Sequence, residues 1–433
     1  MRIDQLEVKN FKGFEHKIIN FSPQFNVLSG DNGSGKTAIL DALAVGMGSL
    51  LLGFGGLSAR AIKENEVRML YKTSSVRTHY RKHYPVEIHC LGTIADSKTI
   101  SWKRTLNNEG GRTTRQNAND IAQYAEQLEK ETRADQPVIL PLLGYYSTAR
   151  LWLQKKEKVG TVKPATITTG YVDCLEIASA GKVLMAWIKT LTIAEIQRKK
   201  HFDVLEGVKE AIKTSLKEEG CQSVYFDIES DELLVTLTQK QLPYHLLSDG
   251  QRTMLLMVAD IAYRASELNS HLGKNARLET PGIVLIDEID LHLHPNWQRR
   301  VVRNLRETFP KIQFIVTTHS PFIIQSINDG ELIDLNESET TEYADQSIED
   351  IAEYQMGVTI PQRSQRYIEM MAAAKAYYRV LEQAKATPSN EIEALKNRLD
   401  ELSAPFSDNV AYHAFLEMQR EAAGLGRKAN ETR

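Results

Sequence analysis

The sequence predicts an α/β fold with a mainly parallel core sheet, to which an antiparallel β subdomain, a helical insertion and a helical C-terminal extension are added. Three observations predict it. The run "FNVLSG" (25–30) leads through a glycine-rich turn into an apolar helix from Lys36 to about Gly46, the strand-turn-helix start of a βαβ unit. Two later runs, "GIVLIDE" (282–288) and "QFIVTTH" (313–319), are apolar throughout and each follows a helical stretch, as strands covered on both faces do. The stretch "VEIHCLGTIADSKTISWK" (86–103) instead alternates with period two on either side of a turn, which gives an antiparallel hairpin or meander outside that sheet.

The remaining elements follow in order. Ile3, Leu6 and Val8 mark an N-terminal strand, and residues 107–120, "NNEGGRTTRQNAND", read as an exposed loop. Helical spacing occupies 121–134 and 174–219, with Val204, Val208, Ile212 and Leu216 on one core-facing stripe. "SVYFDI" and "ELLVTLT" (223–228, 232–238) form a strand pair, Gln251 to about Leu268 an apolar helix, and "NWQRRVVRNLRETF" (296–309) a basic one. The last hundred residues are charged and helical, with 391–402 spaced like an exposed or coiled helix. The expected division is a nucleotide-binding domain over 1–330, with a β meander at about 60–105 and a helical insertion at about 115–220. A helical region for partner or self-association follows over 331–433.

A chain of 433 residues with 42% apolar and 25% charged residues has the composition of a soluble globular protein. Its formal charge of -3 excludes an overall basic field, so nucleic-acid contact must come from a local patch. Cys90, Cys174 and Cys221 are odd in number and far apart, without metal-ligand spacing, as in a reducing compartment. The N-terminus lacks the apolar core of a signal peptide, and the longest apolar-rich stretch, 47–57, is glycine-broken and too short to span a bilayer. The expectation is a cytoplasmic protein without a membrane segment.

The chemistry begins at Gly30-Asp31-Asn32-Gly33-Ser34-Gly35-Lys36-Thr37, which fits the phosphate-loop pattern in every fixed position and has the required strand and helix on its flanks. Glycines let the backbone wrap phosphates, N–H groups and the helix N-terminus face the negative charge, Lys36 reaches the β/γ-phosphates and Thr37 offers a hydroxyl to Mg²⁺. The ligand this implies is ATP with Mg²⁺. Asp287, at the end of a buried strand, is the second metal group, and Glu288 beside it is the general base or water-positioning residue. His319 closes the next strand, where the carboxyl ends of parallel strands face the ligand crevice. "LSDGQR" (247–252) reads locally as a capping box, Ser248 to Gln251, opening a helix. Asp287, Glu288, Asp290, His292 and His294 also offer five metal ligands in eight residues, the constellation of a rival metal-dependent nuclease. Finally, "VRMLYKTSSVRTHYRKHYP" (67–85) carries Arg68, Lys72, Arg77, Arg81 and Lys82 with interleaved tyrosines and no acid, a candidate DNA contact.

The order of phosphate loop, LSDGQR, acidic strand and "THS" resembles the ABC-type ATPases of the SMC, RecF and OLD group, as do the opening "LEVKNFKGFEHKIINF" and "DEIDLHLHP". The motifs cover roughly 1–50 and 240–325, without the long heptad arms of SMC proteins. The resemblance implies an ABC-type head that dimerises around ATP, as a homodimer or higher even oligomer. In it the signature residues Ser248, Asp249, Gly250 and Gln251 complete a partner's nucleotide site, Asp290 is the D-loop acid and His319 the switch histidine. Asp249 departs from the common signature glycine, and a carboxylate there must face away from the γ-phosphate. No Q-loop glutamine stands out, although "LPLLGYYSTARLW" (140–152) is similar to that region of small defence ATPases, with Arg150 a candidate contact. Size, the lack of a Toprim pattern and "SIEDIAEYQMGV" (347–358) make the chain look most like the PtuA family of ATPases of Septu antiphage systems, including retron-associated ones. That implies an HNH nuclease partner of PtuB type and, with a retron, a reverse transcriptase and its RNA–DNA hybrid. The alternative within the group is a RecF-like repair ATPase that clamps DNA without controlling a nuclease.

Overall fold

The computed structural model describes residues 1–73, 78–94, 98–148, 168–175, 181–336, 346–356 and 358, and short helical pieces between 369 and 402. Contacts divide the chain into two units, Met1–Ile351 and Ala352–Arg433. In the second, the described pieces bury Met370, Ala373, Ala374, Tyr377 and Leu399.

In the first unit, β1 (Arg2–Phe11) and β2 (Phe14–Asn20) pair antiparallel, and β3 (Phe25–Ser29) runs through the phosphate loop into α1 (Lys36–Met47). The hairpin of β4 (Met69–Thr73) and β5 (Thr78–Lys82) stands by itself. The next strands, β6 (Val86–Thr93) and β7 (Thr99–Leu106), continue the first pair into a sheet ordered β2-β1-β6-β7. After α2 (Asn119–Arg133) come β8 (Leu142–Tyr146), α3 (Gly181–Arg198) and α4 (Asp203–Ser215). A three-stranded antiparallel sheet of β9 (Cys221–Asp227), β10 (Glu232–Leu237) and β11 (Lys240–Pro243) follows. The chain continues through α5 (Asp249–Leu268), α6 (Ala276–Glu279), β12 (Gly282–Ile286), α7 (Pro295–Thr308), β13 (Ile312–Thr317) and β14 (Leu332–Asp334).

The core sheet has the order β14-β3-β13-β12-β8 and every pairing in it is parallel. Every residue of β3, β12 and β13 is buried, which is why these runs lack alternation. The two amides inside them are satisfied. Asn26 exchanges hydrogen bonds with the backbone of Ser22, and Gln313 accepts from the Ile3 N–H and donates to its carbonyl, both at 2.8 Å, tying the antiparallel sheet to the core sheet. The helix α1 lies beneath that junction, where Trp102 Nε1 donates to the Gly46 carbonyl at 2.8 Å and a Cβ on Gly46 would meet Cys90 Sγ at 2.5 Å. The segment Lys36–Gly53 is apolar and long enough to cross a membrane, but 89% of it is buried inside the fold.

Three expectations are corrected. The stretch expected as a helical insertion contains β8, the edge strand of the core sheet, because "LLGYY" is a five-residue apolar run that periodicity cannot separate from a buried helical segment. The meander expected at 60–105 divides, its first hairpin standing apart and its second joining β1. The core sheet also runs past 330, since β14 pairs with β3. Its three-residue length left no periodic signal.

Close approach of β8 to β12 depends on Gly282, where a Cβ would lie 2.2 Å from the Leu142 carbonyl oxygen. Gly282→Ala is therefore expected to destabilise the fold by about 2 kcal/mol or more, read as a lowered urea midpoint with unchanged slope.

Candidate nucleotide-binding site

Between β3 and α1 the loop turns on three glycines at positive φ, Gly30 (145°), Gly33 (88°) and Gly35 (98°). That region is open to glycine and costly for other residues. At Gly35 there is also no space, because a Cβ would meet the Phe14 ring at 2.4 Å. A cleft of about 460 Å³ opens over the loop, lined by Asn32–Ala38, by Lys12, Gly13 and Phe14 from the β1–β2 turn, and by Asp287, Glu288, Thr317 and His319. Lys36 Nζ donates to the carbonyls of Gly30 (2.8 Å) and Asp31 (2.9 Å), so the loop is folded around its own lysine. Burial holds this ammonium below the ordinary lysine range, against the opposing pull of Asp287, Asp31, Glu288 and Asp290.

The strand ends bring the acids to the loop. Asp287 is buried, and its carboxylate accepts from the Thr37 hydroxyl, 3.1 Å from each oxygen, and from the Thr317 hydroxyl at 2.7 Å. A threonine hydroxyl and a carboxylate converging beside the phosphate loop form a hard-oxygen pair that fits Mg²⁺, which takes few protein ligands. Glu288 adopts φ 49°, a conformation that costs a non-glycine residue on the order of 1 kcal/mol, and its N–H is held by the Thr317 hydroxyl at 2.7 Å. Asp290 accepts from the Thr318 hydroxyl (2.6 Å) and the His319 N–H (3.4 Å), joining the turn after β12 to the end of β13.

The predicted signature stands outside this cleft. Ser248 caps α5 with the full capping box: its Oγ accepts from the Gln251 N–H at 3.3 Å and its own N–H donates to Gln251 Oε1 at 3.0 Å. Asp249 is exposed and ion-paired with Arg252. Gly250 lets this turn close on the segment after Asp290, since a Cβ there would lie 2.6 Å from the His292 carbonyl. Local helix capping and packing thus place Ser248 to Gln251 beside the turn that follows Asp290 and outside the cleft over the phosphate loop.

Other sequence candidates are taken apart. The His294 imidazole accepts from the Asn296 N–H as the cap of α7, and no group of three or more His, Cys, Asp and Glu able to hold a metal occurs among the described residues. The five clustered ligands of the nuclease reading are therefore not gathered. In the basic stretch, Arg68 pairs with Glu15, Lys82 pairs with Glu64 and Glu109, and Arg81 is exposed. The Lys72 side chain, Arg77 and Arg150 lie outside the described residues.

Sequence reasoning missed Lys12, Phe14 and the network behind the loop. Asp41, on α1 and 6% exposed, is ion-paired with Lys12 and with Arg60 (2.6 Å), and accepts from the Tyr145 hydroxyl at 3.2 Å. Arg60 also pairs with the buried Glu66 at 3.0 Å. Burial pushes the Asp41 carboxyl up, but Arg60 and Lys12 outweigh it and hold it below the usual carboxylate range. An aspartate inside an apolar helix was the available signal, because a buried carboxylate requires cations.

The profile of the family described as "AAA domain, putative AbiEii toxin, Type IV TA system" matches residues 25–325. The chain belongs to this family. It is 28% identical to the Retron Ec83 probable ATPase of Escherichia coli, over 76% of this chain and 70% of that protein. It is 27% identical to the Septu protein PtuA of Bacillus mycoides (strain KBAB4), over 78% of this chain but only 41% of that protein's length. Among solved structures, the SMC head domain from Thermotoga maritima aligns with a TM-score of 0.43 and 16% identity over 77% of this chain and 94% of that one.

Asp41→Asn should cost about 3 kcal/mol at neutral pH by leaving the buried Arg60 short of a partner. Because the native carboxyl titrates below its unfolded value, Asp41 contributes stability above about pH 4 that is lost as the pH falls through its native pKa. Urea midpoints from pH 5 to pH 2 should fall less steeply in the variant; parallel curves would refute the assignment.

Proposed function

We propose that this chain is the ATP-hydrolysing switch subunit of a cytoplasmic antiphage defence assembly, which dimerises around ATP and controls a separate HNH nuclease. The observation that carries the reading is the division of the machinery: Lys36, Thr37, Asp287, Glu288 and His319 face one cleft, while the capped signature turn lies away from it. One chain then holds half of each of two sites. In the dimer, Ser248 and Gly250 approach the γ-phosphate held by the other copy's loop, and the α5 N-terminus offers it the positive end of a helix.

Within the cleft, the backbone N–H groups of the loop and Lys36 hold the phosphates. Thr37 and Asp287 would hold Mg²⁺, which when bound neutralises charge on the β/γ-phosphates. Glu288 orients the attacking water and accepts its proton, and His319 contacts the γ-phosphate. Asp290, bonded to Thr318 and the His319 N–H, carries the state of the dimer interface to the switch histidine. The retron and Septu relatives support the defence setting. A PtuB-like nuclease, with a reverse transcriptase and its RNA–DNA hybrid in a retron arrangement, are the partners that follow, and the region over 331–433 is the segment we assign to partner or self-association.

Glu288→Gln is expected to accumulate an ATP-bound dimer by light scattering, whereas Ser248→Arg stays monomeric with ATP and Lys36→Ala loses nucleotide binding. A monomer for Glu288→Gln whatever the ATP concentration would overturn the composite site. Complexes isolated from the native operon should contain a nuclease; a DNA-bound complex without one would favour the RecF-type clamp.

A further inference from the structure

The β4–β5 hairpin belongs to none of the machinery above, yet its composition is unusual for a bare ribbon. Tyr71 and Tyr80 sit directly opposite each other in its register, with ring centroids 6.4 Å apart, and are 64% and 66% exposed. Leu70, on the other face, is 40% exposed, and beside it His79 and Arg81 are exposed; Arg81 makes no ion pair among the described residues. Among the described residues no third strand pairs with these two, and an isolated two-stranded ribbon is marginal in water. Packing therefore does not account for two large aromatic rings held in solvent.

The charge of the segment selects the occupant. Residues 67–86 contain Arg68, Lys72, Arg77, Arg81 and Lys82 and no acidic residue, in a chain whose formal charge is -3. Lys82 and Arg68 are spent on Glu64, Glu109 and Glu15, which fasten the hairpin's base, while Tyr71, Tyr80, His79 and Arg81 stay exposed. Paired aromatic rings on one face of a ribbon only two strands wide, with cations on the other, suit unpaired bases and their phosphates: every base has a face to stack, and stacking does not read sequence. The segment has no Asn or Gln, the residues that read adenine edges in a duplex.

We propose that this hairpin is a docking element for single-stranded nucleic acid, with bases stacking on Tyr71 and Tyr80 and the phosphate backbone crossing the edge of the two-stranded ribbon to Arg81 and His79 on its other face. Its root is bonded to the turn that lines the nucleotide cleft. Arg68 N–H donates to the Asn10 carbonyl (2.9 Å), and Lys12 N–H to the Glu66 carbonyl (2.7 Å), so the hairpin's root is joined to the segment carrying Lys12.

The test is fluorescence anisotropy of the full chain, without nucleotide, with a labelled oligodeoxythymidylate of about 20 nucleotides and a duplex of equal length. The single strand should bind more tightly. Tyr71→Ala and Tyr80→Ala should each weaken it about tenfold, the double Phe variant should retain binding, and Arg81→Ala should flatten the salt dependence. ATP binding by each variant verifies folding, and binding of the oligonucleotide by Lys36→Ala separates this result from any failure of the ATPase reading. Absence of single-strand binding by the unaltered chain, tighter binding of the duplex, or unchanged binding by the double Ala variant would overturn the proposal; the last of these would leave a protein partner as the hairpin's occupant.

Discussion

The Asp287 carboxylate is the point at which the first and last thirds of the chain meet. It receives the Thr37 hydroxyl from the start of α1 and the Thr317 hydroxyl from the end of β13, so one buried charge ties the phosphate loop to two strands of the core sheet. A buried carboxylate without such donors would be expensive, and β3, β12 and β13 must stay in parallel register for the donors to arrive. The same Thr317 hydroxyl accepts the Glu288 N–H and so sets the strained backbone that turns Glu288 to the cleft. The residues we propose to hold Mg²⁺ and to position the water are thus parts of one hydrogen-bonded corner.

The antiparallel sheet is the second constraint. Gln313 links it to the core sheet, and the turn between β1 and β2 lays Lys12 and Phe14 over the loop. Phe14 occupies the space that a side chain on Gly35 would need, so that glycine serves both a backbone angle and a close approach. Asp41, Arg60 and Glu66 continue the arrangement behind α1, where the ion pairs replace solvent for charges drawn into an apolar helix bed.

The phosphate loop was legible because its chemistry is local: each glycine, Lys36 and Thr37 act within eight consecutive residues flanked by a strand and a helix. Asp287 and Glu288 were legible because a run of apolar residues ending in two acids has few other uses, and His319 by the same pattern. β8 and β14 were not, since short apolar strands gain their stability from neighbours far away in sequence and leave no period of their own. Lys12 and Asp41 were missed for a related reason: their partners lie 29 residues apart, and nothing near either residue specifies the other.

By itself, then, the sequence determined the sheet class, the loop, the acidic strand end and the capped turn at Ser248, all features whose physics is contained in a few adjacent residues. Only the tertiary structure decided that Lys82 and Arg68 are already paired, that His294 caps a helix, and that two tyrosines stand together in solvent. Charge pairing and exposure depend on which distant groups approach, and that is set by packing.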